Sequence, residues 1–270
     1  MNRYAIFRAC FPEMDLSEPV FDRLLDAENG VLLEHRDGNE LTGYAVLHGP
    51  CLRLLCVSPD HQGQGIGTEL LRQAEENVRR AGHDALVVGG TSSRLFPGAP
   101  ESSKGFFEHR GYDVSDPSEE MKGDLSGFRA ADFALPVPEG VEFGWYRGDM
   151  EALHAAVRDV DPDWVKYFNP GDPIFCATVN GRVASFCSAS VWDSCLLSNG
   201  KNKVGAPGCV GTAHAFRRQG IGLKMVALAC EELSRQGCDT CYIHYTHVAP
   251  WYAKLGFRTF LTWYFCQKRL

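Results

Sequence analysis

The segment HQGQGIGTELL at residues 61–71 decides the fold, because it returns as FRRQGIGLKMV at residues 216–226. Equivalent positions lie 155 residues apart, and the same spacing relates Gly82 to Gly237. Further on, FFEHRGY at 106–112 matches WYAKLGF at 251–257, with a spacing of 145. The chain therefore contains two copies of one unit, and the first copy carries an insertion assigned to Thr91–Pro100.

Each copy begins with a hairpin. In the second copy, residues 175–179 and 183–186 flank Asn180-Gly181, the strongest two-residue signal for a hairpin turn. In the first copy, a turn at 36–39 separates two apolar runs in the same way. A third strand follows in each copy and leads into the glycine-rich segment.

An amphipathic helix follows each glycine-rich segment, over about residues 65–81 and 220–236. Gly82 and Gly237 are placed to cap the two helices. The order of elements predicts an α/β (α+β) fold of two tandem domains, each a mixed, mostly antiparallel sheet flanked by helices. Residues 117–140 have the composition of a connector, so we place domains at 1–118 and 140–270 with a linker at 119–139.

Composition excludes several classes of function. The chain has 270 residues, a formal charge of -7 and a pI near 5.7, which argues against a nucleic-acid or anionic-membrane surface. No apolar run approaches the roughly 18 residues of a membrane span. The start MNRYAIFR lacks the apolar stretch of a signal peptide, so we expect a cytoplasmic protein.

The eleven cysteines are expected to be buried, reduced thiols, because they are scattered through apolar segments. One cluster, Cys238-x2-Cys241-x2-His244-x2-His247, has the residue types of a zinc or redox site. Residues 240–246 are predicted to be a strand, on which side chains three apart point to opposite faces. We therefore expect no metal site.

The glycine-rich segments predict an anion site, because a strand that turns through glycines into a helix directs several backbone N–H groups at one point. Glycine lets a phosphate approach the backbone closely. Neither copy completes Gly-x-Gly-x-x-Gly, since Thr68 and Leu223 follow the last glycine, and no Gly-x4-Gly-Lys-Ser/Thr occurs. Dinucleotide and P-loop nucleotide sites are therefore disfavoured.

The sequence resembles the GCN5-related N-acetyltransferase superfamily, whose pattern is Gln/Arg-x-x-Gly-x-Gly/Ala followed downstream by Tyr-x-x-x-Gly-Phe. Both copies carry the two parts, as Arg217-x-x-Gly220-x-Gly222 with Tyr252-x-x-x-Gly256-Phe257, and as Gln62-x-x-Gly65-x-Gly67 with Phe107-x-x-x-Gly111-Tyr112. The tandem arrangement is similar to that of mycothiol synthase. The resemblance implies acetyl-CoA as cosubstrate and a small-molecule or peptide amine as acceptor.

The resemblance also implies site residues. It assigns CoA contacts to a strand end and loop in each copy: Val210, Thr212, Arg217, Arg218, Gln219, Gly220, Ile221 and Gly222, and Leu55, Val57, Gln62, Gly63, Gln64, Gly65, Ile66 and Gly67. In the family mechanism the amine attacks the thioester directly. The N–H of Val210, or of Leu55 in the first copy, would stabilise the oxyanion, which is typically worth about 3 to 4 kcal/mol. Tyr252 would protonate the departing thiolate.

The second copy is expected to be the catalytic one. Phe107 replaces the tyrosine in the first copy and has no proton to give, and Glu69 stands where the second copy has Lys224. The general base stays open, because Ala206 occupies the position at which many members carry a glutamate. The candidates are a water chain or one of four side chains, namely Asp193, His214, His244 and His247. The alternative is a non-catalytic protein that binds acyl-CoA or a partner.

Overall fold

The computed structural model describes residues 1–89, 96–192 and 194–270. Half of the predicted insertion, residues 91–95, lies outside the described residues, as does Asp193, one of the candidate bases. The described chain folds into two compact units. We call them the N-terminal unit (residues 1–119, 194–201 and 260–270) and the C-terminal unit (residues 120–193 and 202–259).

The N-terminal unit contains a mixed sheet with the strand order β1-β2-β3-β4-β12. Its strands are β1 (Val31–Asp37), β2 (Glu40–His48), β3 (Cys51–Val57), β4 (Ala85–Val88), β5 (Ala99–Pro100), which pairs with β12, and β12 (Arg258–Arg269). All described pairs are antiparallel except β3 with β4. Its helices are α1 (Arg3–Cys10), α2 (Glu18–Leu25), α3 (Ile66–Arg80) and α4 (Lys104–Glu108).

The C-terminal unit repeats this plan with the order β6-β11-β10-β9-β8-β7. Its strands are β6 (Asp113–Asp124), of which residues 120–124 belong to this unit, β7 (Val141–Trp145), β8 (Ile174–Val179), β9 (Arg182–Val191), β10 (Val204–Thr212) and β11 (Thr240–Thr246). The described neighbours are antiparallel except β10 with β11. Its helices are α5 (Met150–Val160), α6 (Ile221–Arg235) and α7 (Ala249–Tyr252). The predicted fold class is thereby confirmed.

The local signals read from the sequence correspond to observed geometry. Asn180 and Gly181 both have positive φ, at 48° and 75°, as the predicted hairpin turn requires. Gly82 and Gly237 are left-handed just beyond α3 and α6, and the residue after each glycine donates its N–H back to the last turn of the helix. Helices α3 and α6, which follow the two glycine-rich segments, each contain 15 residues.

The connector differs from its prediction. Residues 117–124, predicted to be irregular, belong to strand β6. Beyond this strand, Leu125 is fully buried, and its N–H donates to Asp239 O at 2.8 Å. Phe128, Phe133 and Val137 pack against the core of the C-terminal unit. The prolines and glycines that suggested a linker are interleaved with apolar side chains, and burial of these side chains fixes the segment.

The two units are not the contiguous stretches 1–118 and 140–270 of the sequence prediction. The last strand, β12, belongs to the sheet of the N-terminal unit, where Cys266 pairs with Val88. Its side chains Leu261 and Trp263 join the core formed with α1 and α2. Strand neighbours are chosen by hydrogen bonds and burial, which a local sequence pattern does not specify.

Candidate active site

A cavity of about 800 Å³ lies in the N-terminal unit, at the end of strand β3 and the start of helix α3. It is lined by seven of the eight residues predicted to contact CoA in the first copy, namely Leu55, Val57, Gln62, Gly63, Gly65, Ile66 and Gly67. The eighth, Gln64, is exposed on the same loop, and its side chain bonds Asp60 O. The fold therefore gathers the predicted first-copy residues around one cavity.

One wall of the cavity is the part of strand β3 that extends beyond its described pairing with β4. Their described parallel pairing covers Cys51 with Val87 and Leu52 with Val88, and Gly89 then donates its N–H to Leu52 O. Among the described residues, β3 continues to Val57 without further partners on β4. Leu55 is the one residue of β3 that is only half buried. An extended ligand can therefore lie along this part of the strand.

The loop before helix α3 is open to a ligand. A Cβ added at Gly63 or at Gly65 would meet no atom within 4 Å, and both glycines have positive φ. The side chain of Gln62 reaches back to donate to Val57 O at 3.0 Å, which holds the loop against the end of the strand. This bond explains why the pattern begins with glutamine or arginine, since Arg217 donates to Thr212 O at 3.0 Å in the second copy.

Two buried nitrogen atoms of cavity-lining residues lack a hydrogen-bond partner among the described residues. They are Nδ1 of His61 and Nε of Arg110. A buried polar atom without a partner is costly, and an anionic ligand would accept from Nε of Arg110, and from Nδ1 of His61 when that nitrogen carries a proton. Acyl-CoA, which brings phosphate oxygens to such a loop, fits these donors.

Sequence reasoning missed Arg110. Its guanidinium lies 3.8 Å from the centroid of the Phe106 ring and donates to Phe106 O at 2.7 Å and to Thr68 Oγ1 at 2.6 Å. These contacts hold a cation beside the first turn of α3. The preceding loop, residues 61–67, contains no lysine or arginine of its own. Arg110 directly precedes Gly111 of the repeated pattern, so its position was visible, but the contact with Thr68 depends on the tertiary fold.

Cys10 of helix α1 is a second lining residue that the sequence did not single out. Its thiol donates to Val57 O at 3.2 Å. A hydrogen bond with the Cys56 side chain lowers the pKa of Cys10, whereas complete burial raises the pKa of Cys56. The half-buried Cys10 is thus the thiol of the pair that ionises more readily.

Phe107 lines the same cavity, in the position at which the family pattern has tyrosine. It is buried and packs edge-on against Phe106 and Tyr112, with ring centroids 5.1 Å and 5.3 Å away. The cavity therefore has an apolar wall where the pattern predicts an acid.

The equivalent loop of the C-terminal unit has less space. A Cβ on Gly220 would lie 2.4 Å from the carbonyl oxygen of Pro136, and one on Gly222 would lie 2.5 Å from Thr212 Oγ1. The carbonyl of Pro136 places a partial negative charge beside the loop, which opposes an approaching phosphate. Arg218 has a φ of 61° on this loop, and Gln219 is exposed, as Gln64 is in the first copy.

The strand of this second site is also altered. The pairing of β10 with β9 is irregular between Gly208 and Gly211, and Cys209 in the irregular stretch has a φ of 47°. Val210, the predicted oxyanion donor, follows it and packs against the unit's core. Ile221 is buried in the same core.

Tyr252, the predicted general acid, is itself a core residue of the C-terminal unit. Burial, with Cys187 and Cys230 nearby, raises the pKa of its phenol above the ordinary value of 10.0. A raised pKa keeps the phenol protonated, as a general acid must be before it acts, but also makes it a weaker proton donor.

No group of His, Cys, Asp and Glu that could hold a metal ion occurs among the described residues. Nor does any helix of the described chain have the length and apolar character needed to cross a bilayer.

A family model described as "Acetyltransferase (GNAT) family" matches residues 2–96 and 142–257, that is, both copies. The chain belongs to the GNAT acetyltransferase family, and it is a tandem member with two GNAT-like domains. It is therefore an acyltransferase, and the family uses acetyl-CoA and transfers acetyl groups to amines. No curated protein matches the sequence.

Three solved structures share the fold over almost the whole chain. A glucosamine N-acetyltransferase region of a fungal multi-domain GH3 β-N-acetylglucosaminidase is 24% identical, with a TM-score of 0.73 over 98% of this chain and 36% of that one. This chain thus spans about a third of that polypeptide. A GCN5-related N-acetyltransferase from Sphaerobacter thermophilus is 20% identical, with a TM-score of 0.66 and coverage of 98% and 90%. A tandem GNAT protein from the clavulanic acid pathway is 17% identical, with a TM-score of 0.61 and coverage of 99% and 96%.

Proposed function

We propose that the protein is an acetyl-CoA-dependent N-acetyltransferase that binds acetyl-CoA in the cavity of its N-terminal unit. One observation carries the proposal. A Cβ added at Gly65 of the first copy would meet no atom within 4 Å, whereas a Cβ added at Gly220 of the second would lie 2.4 Å from Pro136 O.

The sequence alone favoured the second copy because the first has Phe107 in place of the tyrosine, and because the second-copy loop is more basic, with Lys224 where the first has Glu69. Arg110 offsets that difference, because it brings a cation to the first-copy loop.

Each part of the cosubstrate has a counterpart in this cavity. Backbone N–H groups around Gly63 and Gly65, together with Arg110, would hold the phosphates at the start of α3. The stretch of β3 beyond its described pairing with β4 would hold the extended arm, with the N–H of Leu55 near the thioester carbonyl. Acetyl-CoA supplies the acetyl group as a thioester. The acceptor is a primary amine of a small molecule or peptide that attacks directly, and the location of the protein is cytoplasmic.

A non-catalytic acyl-CoA-binding protein is the second candidate. Phe107 supports it, because the cavity lacks the tyrosine acid of the family pattern. Under either candidate acetyl-CoA binds to the first copy, so acetylation of an amine panel separates the two.

Calorimetric titration of acetyl-CoA into two matched variants tests the assignment. Gln64→Glu and Gln219→Glu each add one negative charge to a glycine-rich loop, and both side chains make the same type of bond, to Asp60 O and Ala215 O. We expect one site per chain, with affinity reduced about two- to fivefold by Gln64→Glu, since an exposed charge interaction is worth up to about 1 kcal/mol. Gln219→Glu should leave the affinity unchanged. The opposite pattern would move the site to the second copy, and two sites per chain would also overturn the assignment.

A further inference from the structure

Two thiols meet on the wall of the cavity in the N-terminal unit. Cys10 is the last residue of helix α1, and Cys56 is the penultimate residue of strand β3. Both residues line the cavity, and their side chains are hydrogen-bonded to each other. Because the two cysteines belong to different elements, the fold and not the local sequence brings them together.

The surroundings of the two thiols differ. Cys10 is half-buried, its thiol donates to Val57 O at 3.2 Å, and the hydrogen bond with Cys56 lowers its pKa. Cys56 is 2% exposed, and burial raises the pKa of its thiol. A reagent in the cavity therefore meets the thiol that ionises more readily. Cys56 is placed to react with a group that is already attached to Cys10.

The carbonyl oxygen of Val57 connects Cys10 with the glycine-rich loop. It accepts the hydrogen bond from Cys10 and a second one, at 3.0 Å, from the side-chain amide of Gln62. The first bond comes from helix α1, and the second comes from the loop that leads into α3. Oxidation of Cys10 removes the first bond, because a sulfur atom in a disulfide has no hydrogen to donate. A change at Cys10 thus reaches an atom that positions the loop.

The C-terminal unit contains a second pair of thiols for comparison. Sγ of Cys230 in helix α6 lies 4.0 Å from Sγ of Cys241 in strand β11. Both side chains are fully buried in the core of that unit. Proximity alone does not make such a pair reactive, because a reagent must reach one of the sulfur atoms. Of these four thiols, Cys10 is the one that is half-buried and lines the cavity.

We propose that Cys10 and Cys56 form a redox-active pair, which a low-molecular-weight disulfide oxidises to a Cys10–Cys56 disulfide bond. First, the thiolate of Cys10 attacks one sulfur of the small disulfide; its S–S bond breaks, a mixed disulfide forms and one small thiolate leaves. Next, the sulfur of Cys56 attacks Sγ of Cys10, and the second small thiolate leaves. The protons of the two cysteines end on the departing thiolates. Two cysteine thiols are thereby oxidised, and one small disulfide is reduced to two thiols.

The disulfide is expected to oppose binding of the cosubstrate. A covalent bond between two sulfur atoms is shorter than a hydrogen bond between two thiols, so oxidation draws the end of α1 towards β3. Cys10 and its neighbour Phe11 both line the cavity, and their movement towards the strand narrows it. This effect on acetyl-CoA rests on the proposed function, whereas formation of the disulfide does not.

The test uses the full-length protein with oxidised glutathione as the small disulfide. After incubation in native buffer the protein is denatured, its remaining thiols are alkylated, and it is digested with trypsin without a reductant. Cleavage after lysine and arginine places Cys10 in the peptide 9–23 and Cys56 in the peptide 54–72, each without a second cysteine. Mass spectrometry should detect these two peptides joined by a disulfide bond. Alkylation of Cys10 to the same extent with and without glutathione would overturn the proposal.

Two variants separate the steps of the reaction. Cys56→Ser should stop the reaction at the mixed disulfide, so that the peptide 9–23 carries glutathione. Cys10→Ser should leave Cys56 as a thiol, and equally fast oxidation of Cys56 in this variant would contradict the order of attack. Cys230 and Cys241 are the control pair and should remain thiols; their oxidation to the same extent would refute the role of the cavity. The wild-type peptide map decides the matter even if Cys56→Ser does not fold.

Calorimetric titration then relates the disulfide to acetyl-CoA. The affinity of the reduced protein tests the proposed function by itself. Oxidation should lower this affinity several-fold, and dithiothreitol should restore it. Equal affinity in the two forms would overturn the effect on the cosubstrate. An absence of binding to the reduced protein would contradict the proposed function, while the peptide map would still decide whether the disulfide forms.

Discussion

A methyl group added at Gly220 meets an atom that has no counterpart at Gly65. Both glycines precede a helix in the left-handed region, with φ of 79° and 87°. Alanine at either position therefore incurs the same backbone strain, about 1 to 2 kcal/mol. At Gly65 nothing else lies within 4 Å, whereas at Gly220 the new carbon would lie 2.4 Å from Pro136 O.

Overpacking of this kind costs about 1 to 3 kcal/mol more. We expect Gly65→Ala to lower the free energy of unfolding by about 1 to 2 kcal/mol and Gly220→Ala by about 2 to 5 kcal/mol. Urea denaturation followed by circular dichroism, with each variant compared with the wild type, measures both values. Equal losses in the two variants would refute the contact with Pro136, and with it the reason for placing acetyl-CoA in the first copy.

Three further results are expected. Arg110→Gln should weaken acetyl-CoA binding about tenfold and reduce the salt dependence of binding, because a charge-assisted contact is lost. Arg80→Gln, at the far end of α3, is the control. Equal effects of the two substitutions would contradict a local role for Arg110. Tyr252→Phe should leave turnover within about twofold, since Tyr252 lies in the core of the other unit, whereas a loss of tenfold or more would return catalysis to the second copy. Because the pKa of Cys10 is lowered and only the thiolate reacts, the rate of its alkylation by iodoacetamide should rise through a midpoint below pH 9.0. Acetyl-CoA should block this alkylation, which mass spectrometry would detect. Unchanged labelling in the presence of acetyl-CoA would place Cys10 outside the site.

Sequence comparison within the chain was sufficient for the local structure. The repeat, the Asn180-Gly181 turn, the two helices and the glycine-rich loops all follow from short-range signals, and the structure contains them. These features depend on backbone conformation and periodicity over a few residues, which the local sequence specifies directly.

Long-range contacts decided the rest. Whether an added side chain at Gly65 or Gly220 would meet another atom depends on the position of Pro136, which is far from either in sequence, and the cation at the first loop comes from Arg110 rather than from the loop. In the same way, the partner of His244 is Glu120, a residue 124 positions away. The sequence thus determined the family and both glycine-rich loops, whereas the tertiary structure decided that Pro136 O lies beside Gly220 and that Arg110 lies beside Thr68, because only folding brings distant groups close together.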